Sequence, residues 1–96
     1  MNKYEAMYII NPTLEDEARA AFVELFSSLV SQNGGSVEKI DVWGKRKLAY
    51  EIEDMTEGHY ILMNFESNPD LPAELERNFK IAEPIMRYMV IRKEEN

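Results

Sequence analysis

The chain has 96 residues, enough for one small domain spanning 1–96 and too few for two. Its 45% hydrophobic and 30% charged residues fit a folded globular domain rather than a disordered one. The absence of cysteine excludes disulfides, thiolate chemistry and cysteine-ligated metal centres, and a net charge of -7 argues against non-specific attraction to nucleic acid. No apolar run approaches the roughly 18 residues of a membrane helix. MNKYEAMYII lacks the long apolar stretch of a signal peptide, so the expected location is the cytoplasm.

Tyr4 to Ile10 is apolar, aromatic and β-branched, and Asn11-Pro12 stops it; this predicts a strand. Thr13 is the candidate N-cap of a helix whose first turn is acidic. Leu14, Ala18, Ala21, Phe22, Leu25, Phe26, Leu29 and Val30 recur at three- and four-residue spacing, which predicts an amphipathic helix. Asn33-Gly34-Gly35 ends it. A second strand is expected from Val37 to Ile52. In it Ile40, Val42, Leu48, Tyr50 and Ile52 share the core parity, and Trp43, Lys45, Lys47 and Ala49 share the other. Arg46 also carries the core parity, so either a bulge at Gly44 re-aims it or the strand overhangs the core. Asp54 to Gly58 reads as a turn and His59 to Glu66 as a third strand. Asp70 is the expected N-cap of a second helix with Leu71, Leu75, Phe79 and Ala82 on its apolar stripe. Pro84 ends that helix, and Ile85 to Ile91 is the fourth strand. Residues 92–96 read as a charged, frayed tail.

The order βαββαβ, with right-handed crossovers, predicts an α+β, ferredoxin-like fold. Its antiparallel sheet has four strands in the order 4-1-3-2, with both helices on one face. The second and fourth strands are then edges, and a basic cluster touches each: Lys45, Arg46 and Lys47 lie on one, and Arg87, with Arg92 and Lys93 just beyond the strand end, on the other. Lysines on an edge strand can serve merely to block aggregation. They can also meet phosphates, with Trp43 and Tyr50 stacking or anchoring beside them.

Catalytic motifs are missing. A single histidine, His59, cannot make a typical zinc site without cysteines or further histidines, and no nucleophile has a base in motif spacing. No cofactor or metal is expected. The methionines, Met63, Met86 and Met89 among them, read as core filler. Three classes stay open on the residues alone. An acylphosphatase-like enzyme needs an arginine in the loop after the first strand, where Asn11-Pro12-Thr13 stands. A homo-oligomeric small-molecule domain would use the uncovered sheet face. An RNA-binding protein would use the basic edges, although GHYILMNF lacks the aromatic signature of the RNA-recognition motif.

The segments YEAMYIINP, WGKRKLAYEI, GHYILMNFE and IMRYMVIRKEE, with a long first helix ending in Gly-Gly, together resemble the bacterial small-subunit ribosomal protein S-six family. The resemblance covers essentially the whole chain, and WGKRKLAYEI is its most specific piece. Ile81-Ala82-Glu83-Pro84 departs from the polar turn common there. The resemblance implies a non-enzymatic, ferredoxin-like rRNA-binding protein without small-molecule substrate or membrane contact. It further implies a heterodimer with the eighteenth small-subunit protein on the central domain of the 16S rRNA. Lys45, Arg46 and Lys47, then Arg87, Arg92 and Lys93, are the implied rRNA contacts. Tyr4, Trp43 and Tyr50 are the implied partner contacts, with ordinary packing as the alternative for each.

Overall fold

Strand β1 (Asn2–Ile10) opens the chain in the computed structural model, which describes residues 1–52 and 54–93. After it, Asn11 Oδ1 accepts hydrogen bonds from the Thr13 backbone N–H at 2.9 Å and the Thr13 hydroxyl at 2.7 Å. An asparagine side chain closes such a turn readily, and it engages the residue expected to cap the helix. Helix α1 (Asp16–Gln32) therefore starts later, with Glu15 at the cap position and Thr13 capping nothing. Phe26 and Val30 are its fully buried side chains, flanked by Phe22, Val23 and Leu29. The expected apolar stripe is too wide: Leu25 and Ala21 are exposed, because a helix lying on a sheet buries a stripe only roughly 100° across. Gly34 takes a left-handed φ of 82° and the Gly35 N–H donates to the Val30 carbonyl at 2.9 Å, ending the helix as expected.

Strands β2 (Ser36–Ile52) and β3 (Met55–Ser67) form a long hairpin. The turn is shorter than the sequence suggests. Met55 to Gly58 pairs as strand, with Ile52 opposite Met55, Lys47 opposite Glu57 and Arg46 opposite Gly58. The extended β2 supplies partners that a polar composition alone does not reveal. Helix α2 (Leu71–Ile81) buries Leu71, Leu75 and Phe79, and Asp70 stands at its cap position without a side-chain capping bond. Strand β4 (Ile85–Arg92) closes the fold. Arg92 belongs to the strand, and the Lys93 N–H donates to the Lys3 carbonyl at 2.9 Å. The rest of the expected tail, 94–96, lies outside the described residues.

The sheet is antiparallel with the order β2-β3-β1-β4, the ferredoxin-like arrangement. Both helices pack on one face. There the Tyr8 ring lies 5.1 Å from Phe26 and 4.9 Å from Phe79, and those two lie 4.4 Å apart. Such aromatic pairs add to simple area burial. The opposite face carries no helix, and β2 and β4 are the free edges.

Candidate nucleic-acid and partner interface

Register fixes which side chains share a face, because directly opposed residues of an antiparallel pair project the same way. On the helix side, Tyr4, Ala6, Tyr8 and Ile10 oppose Phe65, Met63, Ile61 and His59. On the open side, Met7 opposes Leu62 and Met89, and Ile9 opposes Tyr60 and Arg87.

Along β2 the alternation breaks once in the segment that matters. Val42 opposes Ile61, but Gly44 opposes Tyr60, so Trp43 is an extra residue in a β-bulge. Gly44 takes a left-handed φ of 81° there, a region that costs other residues strain. The Trp43 ring stacks on Tyr60, with centroids 6.2 Å apart and planes 10° from parallel. The Arg46 Nε donates to the Trp43 carbonyl at 3.2 Å, clipping the bulge. An extra residue inverts every later side chain. Lys45 and Lys47 therefore oppose His59 and Glu57 on the helix side, while Arg46 opposes Gly58 on the open side.

This corrects the parity expected from sequence. Leu48, Tyr50 and Ile52 do not face the core. They line a groove on the open face with Met7, Ile9, Tyr60 and Arg87. Between Lys47 and Ile52 the register shifts again, since five steps along β2 match only two along β3. The slack lets residues 48–51 bulge across the open face. The bulge at Gly44 also resolves the placement of Arg46, which is exposed.

The six expected RNA-contacting residues do not form one cluster. Lys45, Arg46 and Lys47 lie on the β2 edge, and all are exposed. Among the described residues no carboxylate forms an ion pair with any of the three. Arg87, Arg92 and Lys93 follow the other edge, three strand spacings or ~14 Å across the sheet. Arg87 and Arg92 stand five residues apart, roughly 17 Å along β4. Arg92 donates to Asn2 Oδ1 at 3.1 Å and Lys93 Nζ to Asn64 Oδ1 at 3.0 Å. Arg87 instead lies over the Tyr50 ring, 4.8 Å from its centroid. On α2, Arg77 pairs with Glu74 at 2.6 Å, the helical ion pair its spacing suggests.

The three aromatic candidates also separate. Tyr4 is only 6% exposed and stacks on Phe65 at 5.5 Å; it is a core side chain and offers no surface to a partner. Trp43 and Tyr50 are 46% and 55% exposed on the open face. Met89, read from sequence as core filler, is 51% exposed on the same face. Sequence reasoning missed Met7, Ile9 and Tyr60 as lining of this face. The unbroken apolar runs Ala6 to Ile10 and Tyr60 to Met63 carried that signal, since a strand apolar on both parities has a second face to cover.

At the end of the sheet nearest Lys45, His59 Nε2 lies 3.3 Å from Arg19 Nη1. Arg19 can only donate, so the ring accepts at Nε2 and carries its proton at Nδ1, which is buried without a partner among the described residues. Burial, then the charges of Arg19 and Lys45, hold this histidine below its ordinary pKa, with Asp16 opposing them weakly. It is a neutral packing residue. Among the described residues no group of three or more His, Asp or Glu side chains could hold a metal ion.

A sequence model of the family Ribosomal protein S6 matches residues 3–92. The chain belongs to the ribosomal protein S6 family. It is 50% identical over 95 residues to small ribosomal subunit protein bS6 of Clostridium acetobutylicum, covering 99% of this chain and 100% of that one. The Clostridium novyi protein of the same name is 48% identical, with the same coverage. Among solved structures, 30S ribosomal protein S6 from Thermotoga maritima superposes with a TM-score of 0.91 at 31% identity. That match covers 96% of this chain and 87% of the other. These relatives are structural ribosomal proteins, and the chain is of that kind rather than an enzyme.

Proposed function

We propose that this chain is a small-subunit ribosomal protein that binds the central domain of the 16S rRNA as a heterodimer with the eighteenth small-subunit protein. Its place is then the ribosome, in the cytoplasm. No membrane, cofactor or small-molecule substrate enters this reading. The observation that carries it is the β2 edge, where three exposed cations, none with a carboxylate partner among the described residues, adjoin an open apolar sheet face. Phosphate contacts need such unneutralised cations, and a folded partner needs such apolar surface. Lys45, Arg46 and Lys47 are the primary phosphate contacts. Arg92 and Lys93 are secondary, since each must exchange an existing amide partner. Trp43 and Tyr50 belong to the partner interface.

The net charge of -7 fits this division. An acidic chain joins an RNA assembly when a basic partner neutralises most of its surface and a confined basic edge reaches the phosphates. Gel-shift titration of central-domain RNA with and without the eighteenth protein tests the reading. Weak binding alone and tight binding of the pair are expected. Equal affinity in the two titrations would contradict it.

A further inference from the structure

Arg87 differs from every other cation on the sheet. Residues 48–52 overhang the open face and enclose a groove of about 220 Å³, lined by Met7, Ile9, Leu48, Tyr50, Ile52 and Tyr60, with the Arg87 guanidinium in its wall. The guanidinium carbon lies over the Tyr50 ring, 4.8 Å from its centroid. No carboxylate among the described residues pairs with it. Neither does any of its N–H groups have an acceptor there. A planar five-donor fork at an apolar wall is suited to bidentate capture of a carboxylate.

We propose that this groove receives an apolar segment of the protein partner bearing a carboxylate, which pairs with Arg87. This rests on the heterodimer reading above and reassigns Arg87 from RNA contact to partner contact. The chemistry of the walls favours a peptide over RNA. Aliphatic side chains dominate the groove, and a strongly hydrated phosphodiester gains nothing by entering it. Glu5 and Asp41 project from the same side of the sheet and repel phosphates. A peptide side chain can fill the apolar groove while its carboxylate meets the fork. Pairs of this kind, partly withdrawn from water, set specificity and slow dissociation.

The test is calorimetric titration of the intact chain with the eighteenth small-subunit protein, for the wild type, Arg87→Met and Arg87→Lys. Gel shifts of the resulting heterodimers on central-domain RNA at several salt concentrations accompany it. Arg87→Met keeps the aliphatic stem over Tyr50 and should weaken the heterodimer by roughly tenfold or more. Arg87→Lys should restore only part, because an ammonium lacks the fork. At saturating partner both should leave the salt slope of RNA binding unchanged. An unchanged heterodimer affinity in both variants overturns the proposal. So does an intact heterodimer whose salt slope falls by about 0.7–0.9, the signature of one lost phosphate contact. If Arg87→Met fails to fold, Arg87→Lys carries the decision. A wild-type chain that does not bind the partner removes the heterodimer reading itself, whereas wild-type binding indifferent to Arg87 removes this inference alone.

Discussion

On the helix-covered face of the sheet Ala6, Tyr8, Met63 and Phe65 are sealed from water, whereas on the opposite face Trp43, Tyr50, Met89 and Ile91 stay 44–55% exposed. Both faces are apolar and aromatic in composition, and both are built from the same strands. The difference is the layer above them. Two helices supply Phe26, Val30, Leu75 and Phe79 to one face, and nothing in the described chain covers the other. Residue type therefore does not separate core from interface here. What separates them is the parity of each strand, together with where that parity is inverted. Contiguous exposed apolar surface on a small soluble domain marks a contact site, so the open face is the part of the fold that answers to a partner.

The largest effect that sharpens this contrast comes from truncating one aromatic on each face. Phe26→Ala removes a ring in contact with Tyr8 and Phe79 and should cost about 3–5 kcal/mol of stability in denaturant unfolding. Tyr50→Ala should cost about 1 kcal/mol or less, the scale of an exposed cation–π contact, and should weaken partner binding instead. Comparable stability losses from the two would erase the distinction between the faces.

A smaller effect probes the overhang that shapes the groove. A Cβ built on Gly58 would collide with Ile9 and touch Leu48 Cδ2 at 3.6 Å, so this glycine lets the edge segment lie against the sheet. Gly58→Ala should cost about 1–3 kcal/mol, the range of overpacking, measured as a lowered denaturation midpoint.

The smallest effect belongs to the helix-side rim. His59 has a lowered folded pKa, so the unfolded chain takes up the proton more readily. Its contribution to stability is complete above the ordinary imidazole value of about 6.5. It is lost as the pH falls from there through the lowered folded value. His59→Gln should remove this part of the acid-side decline while leaving the decline due to carboxylates, as read by unfolding curves from neutral to acidic pH. An identical decline in the variant would show that His59 is not the group responsible.

The fold was legible because each element carries its own punctuation. Asn11-Pro12, Asn33-Gly34-Gly35 and Pro84 break the chain where the elements end, and the helix stripes at Phe26, Val30, Leu75 and Phe79 point inward as periodicity implies. The family was legible because WGKRKLAYEI and its companion segments span the chain. The side on which site residues lie was less legible. One bulge at Trp43 inverts Leu48 and Tyr50, and its cause is a pairing offset with β3, the next strand along the chain, which a period-2 pattern does not show. Tyr4 was misplaced for the opposite reason: its strand begins at Asn2, so a tyrosine near the chain start already lies over the core. The basic residues were legible as two edge groups. Their separation into a trio without an ion pair among the described residues, an amide-held pair and an Arg87 stacked on Tyr50 depends on contacts that residue type alone does not reveal.

The most direct measurement is the salt dependence of RNA binding by the heterodimer when the β2 edge is neutralised. Lys45→Gln, Arg46→Gln and Lys47→Gln together should flatten the slope of log K against log salt by roughly 0.7–0.9 for each phosphate contact removed. The melting temperature should stay nearly constant, since exposed substitutions usually fall within about 0.5 kcal/mol. A slope equal to that of the wild type would contradict the assignment of this edge to RNA.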